Sequence, residues 1–416
     1  MTAVTPTHRL SARRAVEALR SGVPSGDAVT ALGSGQAEVE DRFLELLNHA
    51  GAPTASTRDL LIGGGFGTGK SHVLEHFAHL ARAEEFAVSR IVVSKETPLY
   101  DPVKVLRAAV ASAVLPSGAG EAVAEAAAGL DPGSPAYAEL LRWTSGGRAP
   151  VDERFALTLS LLPQVTTTDG DFADAIVRFW SGDPLGVAEL RRQAKQVGAG
   201  RPALGAVPRR ELARQRFRFL ARLFVAAGCR GWLLLFDEVE LIGRYSPLQR
   251  GRAYAELAGW LRPDPEDPGS PLVSALAMTD DFDAAVLTTN NDRQTVPTRL
   301  RAKQTSEYDE LAVAAEAGMR AIERQMVVLT PPDNAELDRA YARVKALHGE
   351  AFGWDPPDVP GLERLGTTRM RQYVRAWINE WDIVRLDPDC RPTSEVVELA
   401  IGYDGDGGVG GEDDGT

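Results

Sequence analysis

Apolar residues along the chain follow two rhythms. Short, nearly uninterrupted runs, Leu60-Leu-Ile62, Ile91-Val-Val93, Leu233-Leu-Leu-Phe236, Leu272–Met278 and Met326-Val-Val-Leu329, are too brief for helices and too continuous for half-exposed strands. They predict strands buried on both faces, over 59–62, 89–96, 230–236, 272–279 and 325–330. Between them apolar positions recur every three or four residues. Val39, Phe43, Leu46 and Leu47 mark a helix over 36–47, Val73, Leu74, Phe77, Leu80 and Ala81 one over 71–81, and Leu337, Tyr341, Val344 and Leu347 one over 334–351. Further helices are expected over 12–19, 103–114, 247–261 and 367–381, the last capped by Thr367 or Thr368 and burying Met370, Tyr373, Val374, Trp377 and Ile378. Proline- and glycine-rich runs at 262–269 and 353–366 read as loops. Strands that alternate with helices imply an α/β fold with a parallel sheet.

The second and third strands are much further apart than an ordinary α/β crossover. An alanine- and glycine-rich passage, 115–150, and an all-helical stretch, 151–227, lie between them and read together as a helical insertion of about 115–227. Its second half is basic: Arg191, Arg192, Lys195, Arg201, Arg209, Arg210, Arg214, Arg216, Arg218 and Arg222 are opposed by Glu189 and Glu211. One reading is a solvated face whose acidic partners come from elsewhere in the chain. The other is contact with a nucleic-acid backbone or an acidic partner.

Composition narrows the options. A formal net charge of −12 over 416 residues argues against a surface coated for nonspecific binding to nucleic acid or anionic membrane. The two cysteines, Cys229 and Cys390, stand far apart in no metal-ligand spacing, which speaks against a disulfide framework or zinc site and fits a reducing compartment. The first ten residues lack the apolar core of a signal peptide, and no later run approaches the roughly 18 apolar residues of a membrane span. A cytoplasmic protein with no membrane contact is the expectation.

The chemistry concentrates at the end of the first strand. Gly64-Gly-Phe-Gly-Thr-Gly-Lys-Ser71 fits G-x-x-x-x-G-K-[ST], with a strand before it and a helix after it. Such a loop turns backbone N–H groups toward phosphates; Lys70 would reach the β and γ phosphates, and the Ser71 hydroxyl would face Mg2+. Gly64, Gly65, Phe66, Gly67, Thr68, Gly69, Lys70, Ser71 and His72 are the candidate nucleotide contacts. The third strand delivers Asp237 and Glu238 at its C-terminal end, where open α/β sheets bind ligands. Asp237 is then a candidate for the metal and Glu238 for the water that attacks the γ phosphate.

Other candidates carry weaker signals. Thr279, ending the fourth strand, is placed to contact a γ phosphate, and is preferred to Asp280 because another carboxylate there would be repelled. Arg293, Arg299 and Arg301 are candidate fingers for a neighbouring subunit's nucleotide, which leaves a homo-oligomer open. Arg369 and Arg371 sit in the first turn of a helix, where the dipole disfavours cations and an anionic ligand would be welcome. Gly35-Gln-Ala-Glu-Val-Glu40 resembles a turn that in many ATPases of the AAA+ kind borders the adenine.

Several segments taken together resemble the BrxD-type ATP-binding proteins of BREX bacteriophage-defence systems. They are Arg13-Arg-Ala-Val-Glu-Ala-Leu-Arg-Ser-Gly-Val-Pro24, Gly63–His72, Val93-Ser-Lys-Glu-Thr-Pro-Leu-Tyr100, Gly231–Glu240 with Asp-Glu-Val-Glu, and Ala277-Met-Thr-Asp-Asp-Phe282. The resemblance implies a P-loop NTPase of AAA+/origin-recognition type, with a parallel five-stranded sheet in which the strand at 272–279 lies between the Asp-Glu strand and the loop strand. It also implies ATP and Mg2+ as cofactors, ATP hydrolysis, a C-terminal helical lid with Arg369 or Arg371 as its sensor, and partners among other defence proteins such as a helicase or methyltransferase. On this basis the chain divides into an N-terminal segment, 1–50, bordering the adenine pocket; a core, 51–332; a lid, 333–400; and an acidic tail, 401–416, expected to be disordered. Two rivals are an initiator-like protein whose ATP gates DNA binding through 191–222, and a nucleotide-loaded signalling scaffold with little turnover.

Overall fold

In the computed structural model, residues 6–390 are described apart from 24, 54–58, 117, 119, 147–148, 197, 199–203 and 360–369. The tail from 401 and the cap candidates Thr367 and Thr368 lie outside this set. Helices α1 (Pro6–Ser21), α2 (Gly26–Leu32) and α3 (Ala37–His49) precede β1 (Asp59–Gly63), α4 (Lys70–Ala83), β2 (Phe86–Val92) and α5 (Pro102–Ala111). The helical passage follows as α6 (Ala122–Ala128), α7 (Pro135–Ser145), α8 (Glu153–Thr168), α9 (Gly170–Ser181), α10 (Val187–Gln196) and α11 (Arg209–Ala226). The chain then returns through β3 (Gly231–Asp237), α12 (Pro247–Trp260), β4 (Leu272–Met278), α13 (Asp292–Arg301), α14 (Ser306–Gln325) and β5 (Met326–Val328), and ends in α15 (Asn334–Phe352) and α16 (Met370–Leu386).

The five strands form one parallel sheet in the order β2-β3-β4-β1-β5. As expected, β4 separates β1 from β3, with Gly63 opposite Met278 and Phe236 opposite Leu276. Successive side chains divide between the two faces. Leu61, Ile91, Leu234, Phe236, Leu276 and Met278 join the larger core with the insertion helices and α12–α14, while Leu60, Ile62, Leu233, Leu235, Ala275 and Ala277 join a smaller core with α3 and α4. There Phe43 stacks on Phe77 with ring centroids 3.9 Å apart. Two polar groups buried in the sheet are satisfied: Trp232 Nε1 donates to Ser89 Oγ at 2.9 Å, and that hydroxyl donates to Ala109 O at 2.7 Å.

A third core stands apart from the sheet. Ala12 and Val16 of α1 pack with Leu337 and Val344 of α15 and with Tyr373, Val374, Trp377, Ile378 and Trp381 of α16. The first helix of the described chain therefore folds with the last two.

Two local expectations are corrected. The second strand runs over 86–92 rather than 89–96, because Glu85 turns the chain at φ 61° and Ser94 Oγ caps the N–H groups of Glu96 and Thr97 in a turn. The last strand is only three residues, closed by Thr330 and the prolines after it. The passage holding Arg293, Arg299 and Arg301 is helical, α13, and leads into the 20-residue α14, whose buried face is small: Ala312, Ala315, Ala317, Gly318 and Ala321. A Cβ on Gly318 would lie 1.9 Å from Tyr254 O, so α12 and α14 approach as closely as glycine permits.

Candidate functional site

The loop after β1 is shaped by backbone conformation and by lack of space. Gly67 and Gly69 adopt φ of 77° and 103°, where side chains are disfavoured. At Gly64 the constraint is contact, since a Cβ would meet Thr68 Oγ1 at 2.5 Å. Thr68 Oγ1 donates to Gly65 O at 2.9 Å, and Gly64 N–H donates to Met278 O at 3.2 Å, anchoring the loop to β4. Helix α4 begins at Lys70 with no side-chain N-cap bond and no acid in its first turn, which leaves its N-terminal N–H groups for an anion. Lys70 is buried, and its Nζ donates to Gly64 O at 2.7 Å and to Gly65 O at 3.2 Å. An ammonium has three donors, so one remains.

Lys70 faces a cavity of about 720 Å3, a size suited to a small-molecule ligand. The loop from Phe66 to Val73 forms one wall, and Asp237, Glu238 and Glu240 form part of another. Opposite them lie residues 33–37 and Glu40, Leu19 and Val23, Thr330 and Pro332, Arg339 and Arg343 of α15, and Arg371 and Val374 of α16.

The acidic turn is a strained structure. Glu238 has φ 56° and ψ 35°, a left-handed conformation for a residue with a Cβ, and its N–H donates to Asp237 Oδ1 at 2.9 Å. A short 3-10 turn, Val239–Arg244, follows and is pinned by buried Val239 and Ile242. Such backbone outliers persist where surrounding structure enforces them and are frequent at functional sites. Glu240, which the sequence reading did not single out, also faces the cavity. Burial raises its carboxyl above the ordinary range, Lys70 and a hydrogen bond from its own backbone N–H pull it back, and Asp237 and Glu238 add to the rise. Its Oε2 is shielded from solvent and meets no donor among the described residues. The available signal was the acidic run itself, Asp237-Glu-Val-Glu240, at the C-terminal end of a buried strand.

Other candidates are placed as follows. Thr279 is buried at the end of β4 and does not line the cavity; Gly64 and Gly65 likewise contribute carbonyls to Lys70 rather than surface to the cavity. His72 lines it, but its Nε2 bonds Gly33 O at 2.8 Å, tying α4 to the 33–37 segment, and burial lowers its pKa below 6.5. Arg369 lies outside the described residues. Arg371 lines the cavity, with Nη2 3.4 Å from Ser21 O. Arg293 pairs with Glu323 and Asp283, and Arg301 with Glu316 at 2.7 Å, whereas Arg299 is exposed without an ion pair among the described residues.

The arginines of 191–222 are largely engaged within the chain. Arg214 meets Glu256 at 2.6 Å, Arg218 meets Asp264 and Glu266 at 2.6 Å each, and Arg222 meets Asp267 at 2.6 Å. Arg216 is buried against the Phe179 and Asp183 carbonyls, which it reaches at 2.7 and 2.8 Å. Arg201 is outside the described residues, while Lys195 and Arg209 are exposed without an ion pair among them.

For a magnesium ion the donor chemistry fits: Ser71 and Asp237 present hard oxygens to one cavity. Among the described residues no three His, Cys, Asp or Glu side chains converge on a metal, so phosphate and water would have to complete its shell. No helix among them is long and apolar enough to cross a membrane.

Comparison with known families gives a match over the N-terminal quarter. Residues 8–116, from α1 through α5 and including the glycine loop, match the family model described as BREX system ATP-binding protein BrxC/D. No curated protein and no solved structure matches the chain. Over these residues the chain is similar to BREX system ATP-binding proteins, and the match does not distinguish BrxC from BrxD.

Proposed function

We propose that the chain is a magnesium-dependent ATPase of the AAA+ kind, acting as a nucleotide switch or loader in a BREX defence complex of BrxD type. The carrying observation is that Lys70 and the Asp237–Glu240 turn, from strands separated by β4, face one cavity. The strand order, the strained Glu238 and the match over 8–116 support the same reading.

In this mechanism Lys70 and the N–H groups of the loop bind the β and γ phosphates, which requires the lysine to exchange a carbonyl partner for phosphate oxygen. Ser71 and Asp237 would hold Mg2+, which when bound neutralises phosphate charge. Glu238 accepts a proton from water as its oxygen bonds to the γ phosphorus; the bond to the bridging oxygen breaks, giving ADP and phosphate. Residues 33–37 border the base, and Arg371, in place of or with Arg369, reads the phosphates from the helical lid. Arg299, free of the ion pairs that hold Arg293 and Arg301, is the preferred finger in an oligomer. The initiator-like alternative needs the arginines of 191–222 for DNA phosphate, and the internal pairing of most of them favours the defence reading.

The test is a pair of variants assayed for ATP binding and phosphate release. Glu238→Gln should keep ATP affinity and lose about 10²–10⁴-fold in turnover, the usual worth of a positioned base. Lys70→Ala should lose both. Unchanged hydrolysis by the glutamine variant rejects the role of Glu238.

A further inference from the structure

Two chain crossings join the sheet to the end-helix core made by α1, α15 and α16, and both border the cavity. The first is Gly33-Ser34-Gly35-Gln36, between α2 and α3, with positive φ at Gly33 and Gly35, 72° and 66°. The second is Leu329–Pro332, between β5 and α15; Leu329 N–H donates to Gly63 O at 2.8 Å, the last tie to the sheet. The Gln36 side chain bridges them. Its Nε2 donates to Thr330 O at 3.0 Å, while its Oε1 accepts from Thr330 N–H at 3.0 Å and from Thr330 Oγ1 at 3.2 Å. An amide so used imitates one rung of a β ladder between segments 294 residues apart.

The end-helix core is a body in its own right. Apart from its apolar packing, α1 is fastened to its partners by Arg13 Nε donating to Ala351 O at 2.8 Å and by Arg20 facing Asp382 at 3.4 Å, the carboxylate that His348 also meets at 3.2 Å. Its main neighbours are α15, α16 and α2. Helix α2 is the joint, touching α1 and α15 on one side and α4 on the other.

We infer that the lid over the nucleotide is built from both ends of the chain, α1 moving with α15 and α16, and that Gln36 is the positioning residue that makes its two crossings move as one. A ligand pressing on 33–37 displaces Gln36, and Gln36 carries that displacement to Thr330, three residues before the Asp333 cap of α15. Without the clasp either crossing can bend alone, so occupancy of the cavity sets the lid less well. This inference rests on the nucleotide reading above, and its test separates the two.

Hydrogen exchange is followed on the full chain with and without a slowly hydrolysed ATP analogue and magnesium, alongside calorimetric binding. Residues 8–21 and 370–386 should gain protection together, while α6–α10 stay unchanged. In Gln36→Ala, affinity should fall about tenfold, a coupling of ordinary size between two linked elements, and residues 8–21 should no longer respond in step with 370–386. Gln36→Glu, which keeps the acceptor and loses the donor, should lie between. Because Gln36 is partly exposed, thermal stability should hardly move. Binding that protects 370–386 and leaves 8–21 unchanged overturns the two-ended lid. Binding that protects neither removes the lid altogether, and a Gln36→Ala variant with wild-type affinity and coupled protection removes the clasp. If the analogue does not bind, or binds equally well to Lys70→Ala, the nucleotide reading itself fails and takes this inference with it.

Discussion

Replacing Glu240 by glutamine probes the acidic turn most directly. Its Oε2 has neither solvent nor a donor among the described residues, and burial raises the carboxyl above its ordinary 4.5 while Lys70 pulls it down and Asp237 and Glu238 raise it further. A carboxyl whose folded pKa exceeds its unfolded one holds its proton longer in the native state. Stability therefore falls as pH rises from 4.5 through the folded value, and at pH 7.5 the protein carries the whole penalty. An unsatisfied buried acceptor costs roughly 1–3 kcal/mol, and more when charged. Glutamine has the same shape and no charge, so a gain of about 1 kcal/mol is expected, or roughly 2 °C in melting temperature. The assay is paired calorimetry of wild type and Glu240→Gln in a metal chelator from pH 7.5 downward. The variant should melt higher at pH 7.5, with the gap closing as pH approaches 4.5. A variant that melts lower at pH 7.5, or a gap independent of pH, would refute the reasoning, because it would mean that Lys70 and the residue's own backbone N–H outweigh the burial of the charge.

Three further outcomes follow from packing and charge. Gly318→Ala forces α12 and α14 apart, since the new Cβ would meet Tyr254 O at 1.9 Å, and should cost about 1–3 kcal/mol in calorimetry. Buried His72 has a folded pKa below its unfolded 6.5, so protons favour the unfolded state and stability drops as pH falls from 6.5 toward the folded value; His72→Gln should flatten that part of a melting-temperature profile. Arg218 binds Asp264, Glu266 and Pro150 O, so Arg218→Met should lower stability by about 1–3 kcal/mol and speed proteolysis within 262–269.

Where a local structure depends on adjacent residues, it was legible in the sequence. A phosphate loop needs glycines, lysine and serine at set spacing after a strand, and four consecutive apolar residues between Gly231 and Asp237 fit a short strand buried on both faces. Both signals are local, so Gly64–Ser71 and Leu233–Glu238 could be read directly, and β4 followed from its own apolar run. Local signals failed where the decisive neighbour was distant or the side chains small. The alanine and glycine face of α14 carries little hydrophobic contrast, and its purpose appears only against the Tyr254 backbone. The start of β2 depends on a left-handed Glu85 that no propensity marks. The arginines of α11 look like a free basic stripe until α12 and the 262–267 loop fold over them with Glu256, Asp264, Glu266 and Asp267.

What the sequence by itself determined, then, is the alternation of strand and helix and the position of the glycine loop and the acidic strand end that border the cavity, because backbone conformation and short apolar runs are properties of neighbouring residues. Only the tertiary structure decided that α1 joins α15 and α16, that Glu240 turns inward an oxygen with no partner among the described residues, and that Gln36 clasps Thr330 across 294 positions. Those contacts draw their energy from groups that meet only after the chain has closed its long loops, and no window along the sequence contains both partners.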